Sequence, residues 1–155
     1  MDDLNAILHL IEEGRSDLQQ DTPDRTDRAA FERTLQDIIS DSRSELFVAE
    51  SVGSVIGTFQ LIYLPHILDG RAERAQIEAL LVARDKRGRG IEYMMMDFAL
   101  TCARVRGCRM IQLNANNSST DAHLFYEASG FVPSHEGYKA ELDKLGAASE
   151  CGERK

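Results

Sequence analysis

The stretch Arg84-Asp85-Lys86-Arg87-Gly88-Arg89-Gly90-Ile91 decides the reading of this chain, because it joins a strand-like segment, Ala75 to Val82, to a helix-like one, Ile91 to Arg106. Two glycines let the backbone approach a ligand closely and take positive φ where the bend requires it. The N–H groups of a first helical turn have no partner inside the helix and point together beyond its end, so the junction suits an anion such as phosphate. Four cations and one anion stand between Arg84 and Gly90, in a chain whose formal net charge is −8. The basic patch is therefore local, and the chain lacks the broad cationic surface that nucleic-acid backbones require.

The two flanks of the junction, together with Arg109 to Leu113, make a β-α-β unit in which Gly107 stops the helix. On that helix Ile91, Met94, Met95, Phe98, Ala99 and Cys102 are expected to share a core-facing stripe. Upstream, Glu45 to Glu50 and Ser54 to Tyr63 are rich in β-branched and aromatic residues and read as a hairpin about Ser51-Val52-Gly53. The front of the chain is helical in pattern, with Leu4, Ile7, Leu8 and Ile11 in one stripe and Phe31, Leu35, Ile38 and Ile39 in another, separated by a polar loop from Gly14 to Asp27. Downstream, Thr120 to Ala128 reads as a short helix with its N-cap among Asn117, Ser118, Ser119 and Thr120, Gly130 ends it, and Phe131 to Lys139 reads as a last strand.

A length of 155 residues fits one domain, placed at residues 1–145, with a disordered tail at 146–155. No apolar run reaches the roughly 20 residues that cross a bilayer, and Met1-Asp2-Asp3 does not open a signal peptide, so a cytoplasmic protein with no membrane partner is expected. Cys102, Cys108 and Cys151 are odd in number and lack metal-type spacing, which predicts free thiols and no metal site.

Two phosphate-binding motifs fail at named positions. A dinucleotide fingerprint wants a third glycine where Tyr93 stands, and no Gly-Lys-Ser/Thr follows for a phosphate loop of the Walker kind. What does match is Gln/Arg-x-x-Gly-x-Gly/Ala after a strand ending in Val, which Arg87 to Glu92 satisfies at all but its last position. Downstream, Ala122-His123-Leu124-Phe125-Tyr126-Glu127-Ala128-Ser129-Gly130-Phe131 matches Ala-x-x-x-Tyr-x-x-x-Gly-Phe. On these two motifs, the chain from about Arg74 through Leu142 resembles the GNAT superfamily of acetyl-CoA-dependent N-acetyltransferases, and Ala75 to Glu78 and Ser134 to Gly137 look like a bacterial small-molecule or histone-type subgroup.

The resemblance implies an α/β fold with a central mixed sheet flanked by helices, splayed between its fourth and fifth strands to admit acetyl-CoA. It implies that backbone N–H groups from Gly88 through Gly90, Ile91 and Glu92 take the pyrophosphate, that Arg84, Lys86, Arg87 and Arg89 attract it, and that Leu80, Leu81 and Val82 pair with the pantetheine arm. Family members protonate the departing thiolate from the position of Tyr126, and a backbone N–H around Leu81 or Val82 would polarise the thioester carbonyl. Transfer would be direct, since no cysteine sits in a nucleophile motif.

Chemistry supplies the remaining role. An alkyl ammonium has a pKa near ~10.4 and must lose a proton before it attacks, so a base or water relay is needed, and Glu78 is placed for it. The resemblance implies that the acceptor is a primary amine of a small molecule or, second, of a protein. His135 could line its cleft, and one of Asn114, Asn116 and Asn117 could bond the pantetheine arm. Alternatively Glu78 is an ion-pair partner of Arg74.

Two departures from the family pattern set up a rival. Glu92 stands where Gly or Ala is usual, and a helical pattern begins at Leu4 where the family has a first strand. Loss of that strand would bare a sheet edge, which invites a homodimer. The rival is a non-catalytic acyl-CoA-binding or regulatory module on the same fold.

Overall fold

The computed structural model describes residues 3–17, 28–65, 73–115, 120–140 and 142. In chain order the elements are α1 (Leu4–Asp17), α2 (Arg28–Ser40), β1 (Ser44–Ser51), β2 (Ser54–Pro65), β3 (Glu73–Val82), a 3-10 turn (Arg84–Lys86), α3 (Ile91–Arg106), β4 (Met110–Leu113) and α4 (Thr120–Ala128). The sheet runs β1-β2-β3-β4. Its first two pairings are antiparallel and the third, β3 with β4, is parallel, with α3 as the crossover. The mixed sheet flanked by helices is the one expected, and among the described residues no strand precedes α1.

The β1–β2 hairpin closes on a two-residue turn, with Ser51 opposite Ser54. Both turn residues have positive φ, 51° at Val52 and 74° at Gly53, as a type I′ turn demands. A β-branched residue is strained there, and Val52 is fully exposed, so no packing offsets the cost. Val52→Asn is therefore expected to stabilise the protein by about 1 kcal/mol, read as a rise in Tm of roughly 2–4 °C. An unchanged Tm would mean that the turn carries no strain.

Strand alternation divides the sheet into two faces. Phe59, Leu61 and Tyr63 of β2 and Ala75 and Ile77 of β3 turn toward α3, where Met95, Met96, Ala99 and Ala103 complete the core. The expected α3 stripe is thus rotated. Met94 is 71% exposed and Phe98 half exposed, Phe98 meeting Phe47 and Phe59 edge-on at the side of the helix. A run of three methionines covers more than half of a helical turn, so spacing alone could not tell which two face inward. The register is set by Gly57 of β2, which lets Met95 lie directly on the strand: a Cβ there would come 2.8 Å from the Met95 sulfur and 3.0 Å from the Leu81 carbonyl oxygen.

On the opposite face α1 packs over β2 and β3, and α2 over β1. Leu4, Ile7 and Leu10 are the buried side of α1. The helix continues through Gly14 to Asp17, where a loop was expected to start, and 18–27 lie outside the described residues.

One element is corrected. Residues 131–139, expected as a last strand, carry no strand structure. Phe131 packs against the core, but Val132 and Tyr138 are 78% and 92% exposed. Pro133 removes a ladder donor, and Ser134 to Gly137 offer no apolar alternation to bury. The expected tail at 146–155 and the cap candidates Asn117, Ser118 and Ser119 lie outside the described residues.

Candidate active site

The sheet opens where β3 leads into the glycine junction. β4 pairs with β3 only from Arg74–Met110 to Ile77–Leu113, while β3 runs on to Val82. The gap falls between the third and fourth strands of this sheet, which are the fourth and fifth of the expected series once its first strand is left out. Just past the last paired residue, β3 carries a bulge: the register with β2 shifts between Thr58 and Gln60, and Ala79 takes a φ of 51°. A non-glycine residue in that conformation costs about 1–3 kcal/mol, and bulges of this kind re-aim a strand beside a functional site.

Backbone direction along the end of β3 follows from two hydrogen bonds. Ala83 N–H donates to Ile56 O of β2 at 2.9 Å, so by alternation the polar groups of Val82 turn to the other edge, into the gap. There the Val82 carbonyl accepts Arg87 Nε at 2.8 Å, which folds the Arg87 side chain back against the strand end.

Gly88 and Gly90 have φ of 68° and 82°, and nothing lies within 4 Å of a Cβ built on either. The bend is thus left-handed twice and open on its outer side. Gly90 caps α3 without a side-chain hydrogen bond, and the first helical bond is Met94 N–H to Gly90 O at 3.1 Å. The amides of Ile91, Glu92 and Tyr93 therefore precede the intrahelical ladder, and the positive end of the helix dipole lies with them. Lys86 Nζ lies 2.9 Å from Asp85 Oδ2, and this bond and charge hold the Asp85 carboxyl below the usual carboxylate range. Arg84, Arg87 and Arg89 are exposed, and Glu92 is half-buried on the first turn.

α1 closes over this end of the sheet in a way the sequence did not signal. Glu13 accepts the Arg84 backbone N–H at 3.0 Å, and Gly14 lies against Leu81, whose Cδ2 would be 2.6 Å from an added Cβ. Leu81 thus faces α1, whereas Leu80 and Val82 pack on the α3 side.

Glu78 follows Ile77, which is buried on the α3 side, and so turns to the α1–α2 face. A hydrogen-bonded chain reaches it across the strands: Gln112 Nε2 donates to Gln76 Oε1 at 2.9 Å, and Gln76 Nε2 donates to Glu78 Oε1. Each amide commits one N–H to this chain, whose last bond fixes the Glu78 oxygen. The alternative reading of Glu78, an ion pair with Arg74, is not formed among the described residues.

Tyr126 stands half-buried on α4, its ring 5.2 Å from Phe125 and 6.3 Å from Phe131 between centroids. Burial pushes its phenol pKa up, so the hydroxyl keeps its proton at neutral pH. Tyr93 of the first α3 turn meets Phe125 edge-on at 4.8 Å, which brings α4 beside the N-terminal end of α3. His135 and Asn114 are exposed, and Asn116 and Asn117 lie outside the described residues. Cys102 and Cys108 are free and half-buried, and burial raises both thiols. Among the described residues no His, Cys, Asp and Glu group could hold a metal ion, and no helix is long and apolar enough to cross a membrane.

These features are what acetyl-CoA needs from a protein. Open left-handed glycines and amides that precede the helical ladder suit a diphosphate, and a strand edge that β4 does not pair past Ile77 suits an amide-bearing arm.

The model of the acetyltransferase (GNAT) family matches residues 7–131. Among solved structures, a transcriptional regulator from Bacillus halodurans C-125 is 30% identical with a TM-score of 0.81, covering 90% of this chain and 93% of its own. A predicted acetyltransferase from Clostridium acetobutylicum, solved with acetyl-CoA, is 17% identical with a TM-score of 0.75, covering 94% of each chain. An aminoglycoside acetyltransferase from an uncultured soil metagenomic sample, in complex with trehalose, is 17% identical with a TM-score of 0.71, covering 90% of this chain and 91% of its own. No curated protein matches the sequence.

Proposed function

Because the chain belongs to the acetyltransferase (GNAT) family, whose members transfer acetyl groups from acetyl-CoA, we propose that it acetylates a primary amine of a small molecule. A protein amine is the second choice. The observation that carries this reading is the coincidence, at one end of β3, of the open sheet gap, the two left-handed glycines and the amide-fixed Glu78.

In this reading the amides from Gly88 to Glu92 hold the diphosphate, with Arg84, Lys86, Arg87 and Arg89 adding attraction. The edge at Leu80, Leu81 and Val82, which β4 does not reach, pairs with the pantetheine arm. When bound, acetyl-CoA supplies the activated acetyl thioester. Glu78 takes the proton of the acceptor ammonium, directly or through water. The Val82 N–H, turned into the gap, polarises the carbonyl of the acetyl group. Tyr126 gives its proton to the departing sulfur, and the second proton of the acylated nitrogen, lost as the amide forms, restores the phenol. Glu78 is thus the base and Tyr126 the acid, whose proton burial retains. The amine class is supported by this demand for a base, by the chain's net acidity and by the name of the aminoglycoside acetyltransferase above.

A second reading, a regulatory acyl-CoA-binding module, is favoured by Glu92 and by the name of the Bacillus halodurans relative. Thiol release from acetyl-CoA over a panel of primary amines separates the two. Saturable, amine-dependent release is expected, and coenzyme A binding without turnover of any amine would favour the module. Glu92→Gln bears on the same choice. The helix dipole favours a carboxylate on the first turn by only a few tenths of a kcal/mol, so coenzyme A affinity is expected to change less than about threefold. A gain of tenfold or more, measured by calorimetry, would place the carboxylate against the phosphates.

A further inference from the structure

On one face of β3 stand a cation, an amide and an anion in succession, Arg74, Gln76 and Glu78. They share that face because the intervening Ala75 and Ile77 are buried against α3 on the other. In register beside them on β4 are Met110, next to Arg74, and Gln112, next to Gln76. Gln76 and Gln112 spend their amides on the chain that ends at Glu78, so the one acid of this row is held by an amide and not by the arginine.

Arg74 is left over. Its Nε is buried with no hydrogen-bond partner, and among the described residues it makes no ion pair. The neighbouring acid, Glu73, is committed to Arg106 at 2.9 Å, while the Arg106 guanidinium also lies 3.9 Å over the Tyr63 ring. A guanidinium has five donors and no acceptor, and with Nε shielded by the protein the Nη groups of Arg74, which make no ion pair among the described residues, are the donors a ligand can meet. The arrangement of the row is the complement of a molecule with an oxyanion at one end and an ammonium at the other.

We propose that the acceptor amine carries an oxyanion, a carboxylate or a phosphate, and that Arg74 is the specificity residue that receives it while the amine faces Glu78. This rests on the acetyl-transfer reading above. The two side chains spring from the same strand four positions apart, about 13 Å along it at ~3.3 Å per residue, so amine and oxyanion must be separated by several bonds. An α-amino acid such as glycine is too short to bridge them. An ω-amino acid or an aminoalkyl phosphate fits.

The test is acetyl transfer by the full chain to four amines of matched length: pentylamine, 1,5-diaminopentane, 6-aminohexanoate and 4-aminobutyl phosphate. The two oxyanion-bearing amines are expected to be used at least about tenfold better than pentylamine. A charge-assisted pair is worth about 1.5–3 kcal/mol, so Arg74→Ala should raise their KM by roughly 10–100-fold with kcat nearly kept, and leave pentylamine alone. Arg74→Lys should restore part of the loss, more for the phosphate than for the planar carboxylate. Preference between the two anions tells which the site takes. A wild-type preference for the diamine, or an Arg74→Ala effect of equal size on every amine, would overturn the proposal. Calorimetric binding of 6-aminohexanoate and of 4-aminobutyl phosphate to the coenzyme A complex tests Arg74 without turnover. Binding of either that Arg74→Ala abolishes supports the proposal, and neither binding, or binding that Arg74→Ala leaves intact, overturns it. An enzyme that binds these ligands through Arg74 but acetylates no amine would instead defeat the acetyl-transfer reading alone.

Discussion

Tyr126→Phe is expected to lower kcat by about 10²-fold while leaving coenzyme A affinity within about twofold, since positioned proton transfer contributes about 10²–10⁴. Only the hydroxyl is removed. The ring keeps its packing on Phe125 and Phe131, so the fold and the junction beside Tyr93 should not move. The direction of the pKa shift sharpens the test. Burial raises the phenol above its ordinary 10.0, so the acid form is intact through neutral and mildly alkaline pH. The rate should therefore show no alkaline fall below pH 10 that depends on Tyr126. Stability has the same sign: a raised folded-state pKa favours folding below the unfolded value, and that contribution is lost only as pH rises beyond it. Equal kcat in the variant would remove Tyr126 from the chemistry.

The second large effect is expected at Gly57, a residue that touches no ligand. Gly57→Val places a branched side chain where one carbon already meets the Met95 sulfur at 2.8 Å and the Leu81 carbonyl oxygen at 3.0 Å. The sulfur is on a flexible side chain and can give way; the carbonyl belongs to β3 and cannot move without disturbing the strand. Overpacking of this kind costs about 1–3 kcal/mol, and Tm should fall by roughly 2–12 °C. Because Gly57 pairs with Val82, at the strand end that leads to the glycine bend, coenzyme A binding should weaken as well at temperatures where the variant is folded. Loss of stability with full coenzyme A affinity would mean that the site is not built on this contact.

Legibility in the sequence followed the physics of each element. The helix from Ile91 to Arg106 was readable to the residue because glycines stand at both ends, and both are left-handed caps in the structure. The β-α-β unit and the hairpin followed from alternation and turn residues. The bulge at Ala79 was not readable, since alanine carries no signal for positive φ; it is the surrounding sheet that imposes it. Gly14 looked like a loop residue, and its role is to let α1 lie on Leu81, a contact across 67 positions of chain that no local pattern encodes. Glu78 was readable as a candidate from its strand alone. Its orientation was not, because that depends on Gln112, which only the parallel register of β4 brings alongside Gln76. The expected strand at 131–139 shows the opposite failure: Phe131 and Val132 suggest a strand, but Pro133 and the polar residues from Ser134 to Gly137 do not sustain one, and no strand structure forms there.

The most direct test is a crystal structure of the protein with coenzyme A. The account predicts the diphosphate oxygens within hydrogen-bond distance, about 2.7–3.2 Å, of amides between Gly88 and Glu92, and the pantetheine arm beside Leu80 to Val82 in the gap between β3 and β4. A ligand bound elsewhere, or a gap closed by the protein's own chain, would contradict it.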